Sequence, residues 1–206
     1  MVVGRLFRVF AVTAALGFVA VAAMAQGENF ITNADFEDDL WDPWVSYGPV
    51  TEDISKKADA HTGNAAMMAT IPEAGANFWD AGIQYKPDIF FAKDTDYTWA
   101  MFMKADVDIE VNIKPELGMD PWTAYGEKRA QLTGEYQEFF TEFNVGGADV
   151  VPASLTLHVQ FGKAVIWLDD ARWYEGGYEP FDGSGAPQAV DPLDKAATTW
   201  GQIKSR

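Results

Sequence analysis

The sequence has no cysteine, only two histidines, and little positive charge: 15 Lys and Arg stand against 31 Asp and Glu in 206 residues. Without cysteine there is no disulfide framework, no thiol nucleophile and no thiolate metal site. His61 and His158 together would be used up by one zinc site of two histidines. No basic block is present, which argues against nucleic acid and anionic membrane surfaces, since both need clustered Lys and Arg. Long apolar runs are scarce too. The only one, Val9 to Ala22, is shorter than the roughly 20 residues a spanning helix needs. It follows Arg5 and Arg8 and ends at Ala23-Met24-Ala25, the order of a secretory signal peptide over residues 1–25. The expected location is therefore secreted or cell-surface. Loss of those residues leaves 181, with 13 basic against 31 acidic residues and a net charge of −18.

Catalytic patterns are equally thin. No G-x-S-x-G or H-E-x-x-H is found. Glu110, Glu116 and Asp120 have no spacing that sets them apart from the other carboxylates as a glycosidase pair. The chain reads as a non-enzyme.

What is present is aromatic and alternating. Aromatic residues make up 14 % of the chain and include eight tryptophans, enough to exclude disorder. Val107, Ile109, Val111 and Ile113 alternate with Asp106, Asp108, Glu110, Asn112 and Lys114. Leu155, Leu157, Val159 and Phe161 alternate with Ser154, Thr156, His158 and Gln160. Period two with one apolar face is the mark of half-buried strands. Further strands are expected at 65–71, 82–85, 97–104, 137–145 and 164–174, with Gly, Pro, Asn and Asp between them. Many short strands and almost no helical period point to an all-β sandwich or barrel. Residues 26–175 form the expected domain. From Gly176 the chain turns Gly- and Pro-rich, so 176–206 reads as a linker with a polar tail able to dock on a sorting or anchoring partner.

An ordered set of motifs then stands out: Asn33-Ala34-Asp35-Phe36-Glu37, a tryptophan soon after, Thr62-Gly63-Asn64, Asp96-Tyr97-Thr98-Trp99, Thr133-Gly134-Glu135-Tyr136-Gln137, and Trp167-Leu168-Asp169-Asp170-Ala171-Arg172. Over Asn29 to Glu175 this resembles the family 4/9 type of carbohydrate-binding module. It differs in having Tyr136 where the family usually has Trp, and in lacking the cysteine pair of some members. The resemblance implies a galactose-binding-like jelly roll, a β-sandwich of two antiparallel sheets that holds sugar on its concave sheet.

Sugar rings offer an apolar C–H face and a rim of hydroxyls, which call for flat aromatics and amides. In Trp44-Val45-Ser46-Tyr47-Gly48 the resemblance puts Tyr47 at the groove. In Pro121-Trp122-Thr123-Ala124-Tyr125-Gly126 it sets Tyr125 opposite, with Trp122 as a third platform. Gln160 matches a hydrogen-bonding position, and Asn112 shares its polar-face placement. The resemblance further implies a structural calcium ion near Asp35, Glu37, Gly63 and Asp169, where Asp35 and Gly63 would offer backbone carbonyls. The expected partner is a neutral, β-glucan-like polysaccharide or oligosaccharide, since the negative charge repels acidic glycans. A surface or matrix interaction protein that keeps the sandwich without sugar binding is the alternative reading.

Overall fold

The computed structural model describes residues 28–183. The segments expected as signal peptide and most of that expected as tail lie outside the described residues. No helix occurs within them. Ten strands run in order: β1 Trp44–Tyr47, β2 Thr51–Lys56, β3 Ala65–Ile71, β4 Gly82–Tyr85, β5 Thr95–Ala105, β6 Ile109–Leu117, β7 Lys128–Leu132, β8 Gln137–Val145, β9 Ala153–His158 and β10 Ala164–Glu175. They form two five-stranded sheets, β1-β4-β9-β6-β7 and β2-β3-β10-β5-β8, antiparallel throughout. This is the expected β-sandwich.

Alternation explains the core. Val111 and Ile113 on β6, and Leu155 and Leu157 on β9, point inward against Met101, Met103, Trp99 and Trp173 of the second sheet. Burying one such side chain stabilises the fold by about 1.5–3 kcal/mol relative to leaving it exposed. Trp44 is also interior, with Tyr85 at 5.1 Å and Phe36 at 5.7 Å. Period two then turns Tyr47, three residues on, toward the outer face.

The expected 107–113 strand is displaced. Val107 is exposed in the turn, and β6 runs on through Pro115 to Leu117. Proline is tolerated there because β7 pairs only as far as Ile113. Beyond that point the chain of 123–125 returns instead, with Tyr125 N donating to the Pro115 carbonyl. The missing N–H of Pro115 therefore falls on a side where no ladder partner requires it.

The first described residues are fastened to β10, the last strand. Asn29 Nδ2 donates to the Ala171 carbonyl, and its Oδ1 accepts from Trp173 N. Phe30 N donates to Trp173 O, and Ala171 N to Ala34 O. Past β10, residues 177–182 fold back over the outer face of the second sheet. There Tyr178 stacks on Phe140 at 3.7 Å and Phe181 meets Phe102 edge-on.

Candidate functional site

Three registers build one groove on the outer face of the first sheet. Tyr47, Gly82, His158, Asn112 and Arg129 lie in a row across β1, β4, β9, β6 and β7. The next rows carry Gln84, Thr156 and Lys114, then Ser154 and Glu116. Over this polar floor, the loops at 72–81 and 118–127 raise aromatic walls. The resulting groove of about 740 Å³ is lined by Tyr47, Phe78, Trp79 and Trp122 above Gln84, Lys114, Glu116 and His158, with Lys86 and Glu127 at its sides.

Trp79 and Trp122 are 50 % and 46 % exposed. Scattered exposed apolar residues need no explanation, but four rings facing one polar groove form a built surface. Trp122 sits at φ +55°, a left-handed conformation costly for a tryptophan. It is held there by a bond from its N–H to Met119 O and one from Lys114 Nζ to its carbonyl. Lys114 is in turn paired with buried Glu116 at 2.6 Å. Gly82 supplies the space for Tyr47, whose ring lies directly over it. Burial, then the charges of Glu116 and Asp80, hold the Tyr47 hydroxyl protonated far above neutral pH.

His158 is the groove's fixed donor. Asn112 Nδ2 lies 3.1 Å from its Nδ1 and 2.9 Å from Glu127 Oε1. An amide donating to Nδ1 leaves the proton on Nε2. Burial first, then Lys114, push the imidazole down to about 4; Glu127 opposes them, and Arg129 adds the smallest push. The ring stays neutral in the fold but takes a proton in the unfolded chain below its ordinary value. Stability should therefore fall as pH drops from about 6.5 to about 4, by at most about 3 kcal/mol, and this contribution levels off below that. Urea midpoints of His158→Gln, taken beside the parent across that window, should show the difference between the two proteins shrinking with acidity. A constant difference would remove His158 from the acid response.

The residues expected from sequence are divided by this geometry. Tyr47 and Trp122 line the groove. Asn112 lies beneath it, fully buried, orienting His158 and Glu127. Tyr125 does not face Tyr47. Ala124 bridges Glu116 on the groove side, so its neighbour Tyr125 turns the other way and packs edge-on near Phe91, 6.3 Å away. Gln160 is not in the groove lining either: β9 ends at His158, and the Gln160 side chain lies against Gly75. Trp79 and Phe78 were not expected. They stand in a Gly/Ala/Asn-rich stretch without alternation, and adjacency of two large aromatics was the only available signal.

The corner expected to hold calcium is a dense hydrogen-bonded junction. Asp169 is fully buried and accepts from the N–H groups of His61, Thr62 and Asp170. Burial and the adjacent Asp170 nevertheless raise its carboxyl to about 7. Asp170 holds His61 Nδ1 at 2.6 Å and the Thr62 hydroxyl at 2.9 Å. Glu37 accepts from Asn64 and Ala65 around Gly63, and the Asn64 amide bond leads the lowering of its pKa. Asp35 receives the Glu37 N–H at 3.4 Å. Among the described residues no three His, Asp or Glu side chains converge as metal ligands. The donor set is all oxygen, as calcium requires, but supplies two carboxylates and two carbonyls of the six to eight oxygens needed.

Comparison with known proteins bears on the whole fold. None of the curated proteins compared matches the chain. A solved structure titled "CBM4 structure and function" aligns at 18 % identity and TM-score 0.54, over 71 % of this chain and 99 % of that one. The CBM22-1 xylan-binding domain of Paenibacillus barcinonensis Xyn10C aligns at 14 % identity and TM-score 0.56, over 76 % and 100 %. A Fischerella sp. TAU cyclase, in complex with 4-(1H-indol-3-yl)butan-2-one, aligns at 14 % and 0.57, over 76 % and 100 %. These likenesses establish the sandwich, which both binding modules and an enzyme use. The family model described as a carbohydrate binding domain, of the 4/9 type, matches residues 28–170. The chain belongs to that family of carbohydrate-binding modules.

Proposed function

We propose that the protein is an exported, non-catalytic module that binds one chain of a neutral β-linked polysaccharide along this groove. The observation that carries the reading is the set Tyr47, Trp79 and Trp122 around a floor of Gln84, His158 and Glu116. Flat rings cover the apolar faces of successive sugars, and the floor groups meet their hydroxyls. The groove is open, which favours modest affinity. Its two lining carboxylates are committed, Glu116 to Lys114 and Glu127 to Asn112, and neither stands poised as a free acid and base. No reducing sugar should be released from any polymer tested.

Gels containing hydroxyethyl cellulose, laminarin, xylan or mannan test the binding. At least one should retard the protein, and Trp79→Ala and Trp122→Ala should each weaken that retardation tenfold or more, as truncation of a central aromatic anchor does. Free migration in every gel would discard the sugar reading and leave the surface or matrix interaction protein.

Calcium belongs to the same proposal as a structural ion, held by the Glu37 and Asp169 carboxylates and the Asp35 and Gly63 carbonyls, with water completing its shell. It would relieve the crowding of negative charge at Asp169 and Asp170. Chelator should lower the melting midpoint by several degrees, and Asp169→Asn should abolish the response. An unchanged midpoint would mean that hydrogen bonds alone close the corner.

A further inference from the structure

The groove of this acidic protein holds a cation with no ion-pair partner among the described residues. Lys86 directly follows β4, and alternation places it on the same face as Gly82 and Gln84, at the groove's side. It is exposed, and its ammonium makes no ion pair with any described residue. The other charges lining the groove are engaged. Lys114 pairs with Glu116 at 2.6 Å, and Arg129 pairs with Glu110 at 2.9 Å while covering the Phe78 ring. On the Tyr47 rim, the Asp80 carboxylate accepts from Asn77 N at 2.8 Å and Nδ2 at 3.3 Å. The remaining lining carboxylate, Glu127, accepts from Asn112 just ahead of β7.

In strand order β4 and β7 are three spacings apart, about 14 Å at ~4.8 Å per strand. That exceeds the Debye length of about 8 Å at physiological salt, so Glu127 hardly opposes an anion placed beside Lys86. The field of the whole chain, which disfavours acidic polymers at a distance, is screened on the same scale.

We propose that Lys86 receives the carboxylate of a uronic acid branch, so that the groove takes a neutral β-linked backbone decorated with acidic side sugars. This rests on the polysaccharide reading above: the rings hold the backbone, and Lys86 reads the branch. Glucuronoxylan and the same polymer after reduction of its carboxyl groups to alcohols provide the test, with neutral hydroxyethyl cellulose and laminarin run beside them.

At about 0.15 M salt the native glucuronoxylan should bind roughly fivefold tighter than its reduced form, the scale of one exposed ion pair. That ratio should fall toward one in 1 M NaCl, and toward one in Lys86→Gln at about 0.15 M salt. Equal binding of both xylans at about 0.15 M salt overturns the role of Lys86 and leaves the groove standing. Binding of only the neutral glucans overturns it equally. If no polymer binds, the polysaccharide reading falls and takes this inference with it.

Discussion

Gly82→Ala should remove polysaccharide binding almost as fully as Tyr47→Ala, by about 30-fold or more, with little change in stability. Gly82 sits in regular strand between β1 and β9, opposite Tyr47 on one side and His158 on the other. Its backbone is not in the left-handed region, so alanine fits the main chain. A methyl group there would lie 2.6 Å from Cε1 and the hydroxyl oxygen of Tyr47. The ring must give way. It is the far end of a half-exposed side chain on an edge strand, so it swings toward solvent at small cost to the fold. Loss of glycine freedom in the unfolded chain gives back about 0.4–1 kcal/mol. A platform displaced from the groove, however, is lost to the ligand as completely as one deleted, and truncated anchors of this kind cost 2 kcal/mol or more. Affinity gels beside urea titrations separate the two effects. Full affinity in Gly82→Ala would show that the Tyr47 ring is not a platform.

The limits of reading this chain from sequence are physical. Strands β3, β4 and β8 stand where alternation and turn residues put them, because each carries a face of β-branched, aromatic or small residues that can only be buried. Strands β1, β2 and β7 escaped, since Trp-Val-Ser-Tyr is only four residues long and Thr-Glu-Asp-Ile-Ser-Lys and Lys-Arg-Ala-Gln-Leu are short, polar edge strands. The parity of β1, with Trp44 inside, is what turns the Tyr47 ring outward, but Tyr47 was legible only through the family resemblance. Tyr125 was not, because its parity comes from a loop docking on β6 through Leu117–Thr123 and Tyr125–Pro115 bonds, which no local pattern encodes. Asn112 and Gln160 share a polar face with His158 in the sequence, but pairing buries Asn112 beneath His158 and β9 ends before Gln160. Trp79 belongs to the floor's upper wall solely through the fold of 72–81. The sequence period reports which face a residue takes, and long-range pairing reports what it meets there.

Arg172→Ala is the substitution expected to damage the fold most, by about 3–5 kcal/mol, while leaving the groove intact. The guanidinium is almost fully buried on the outer face of the second sheet. Small Ala100, its partner on β5, lets it pass over that strand to Glu138 on β8. Nη2 pairs with the Glu138 carboxylate, Nη1 donates to the Glu179 carbonyl at 3.1 Å, and the Phe181 ring lies 5.4 Å away. One side chain thus ties β10, β8 and the returning segment 177–182 together. Alanine would strand Glu138, only 15 % exposed, without its counter-charge, the costly half of breaking a buried pair. The loss is a large share of the roughly 5–15 kcal/mol that holds a domain folded, so the melting midpoint should fall by roughly 10 °C. Lysine should not rescue it, since a single ammonium cannot reach two acceptors in the geometry of a planar fork. Chymotrypsin should meanwhile cut sooner at Tyr178 and Phe181, whose contacts the arginine organises. Below the new midpoint the variant should still be retarded by the same polymer, because the groove lies on the other sheet. Slow cleavage with a normal midpoint would show that Glu138 is comfortable alone, and that the stacking of Tyr178 on Phe140 holds the segment without the arginine.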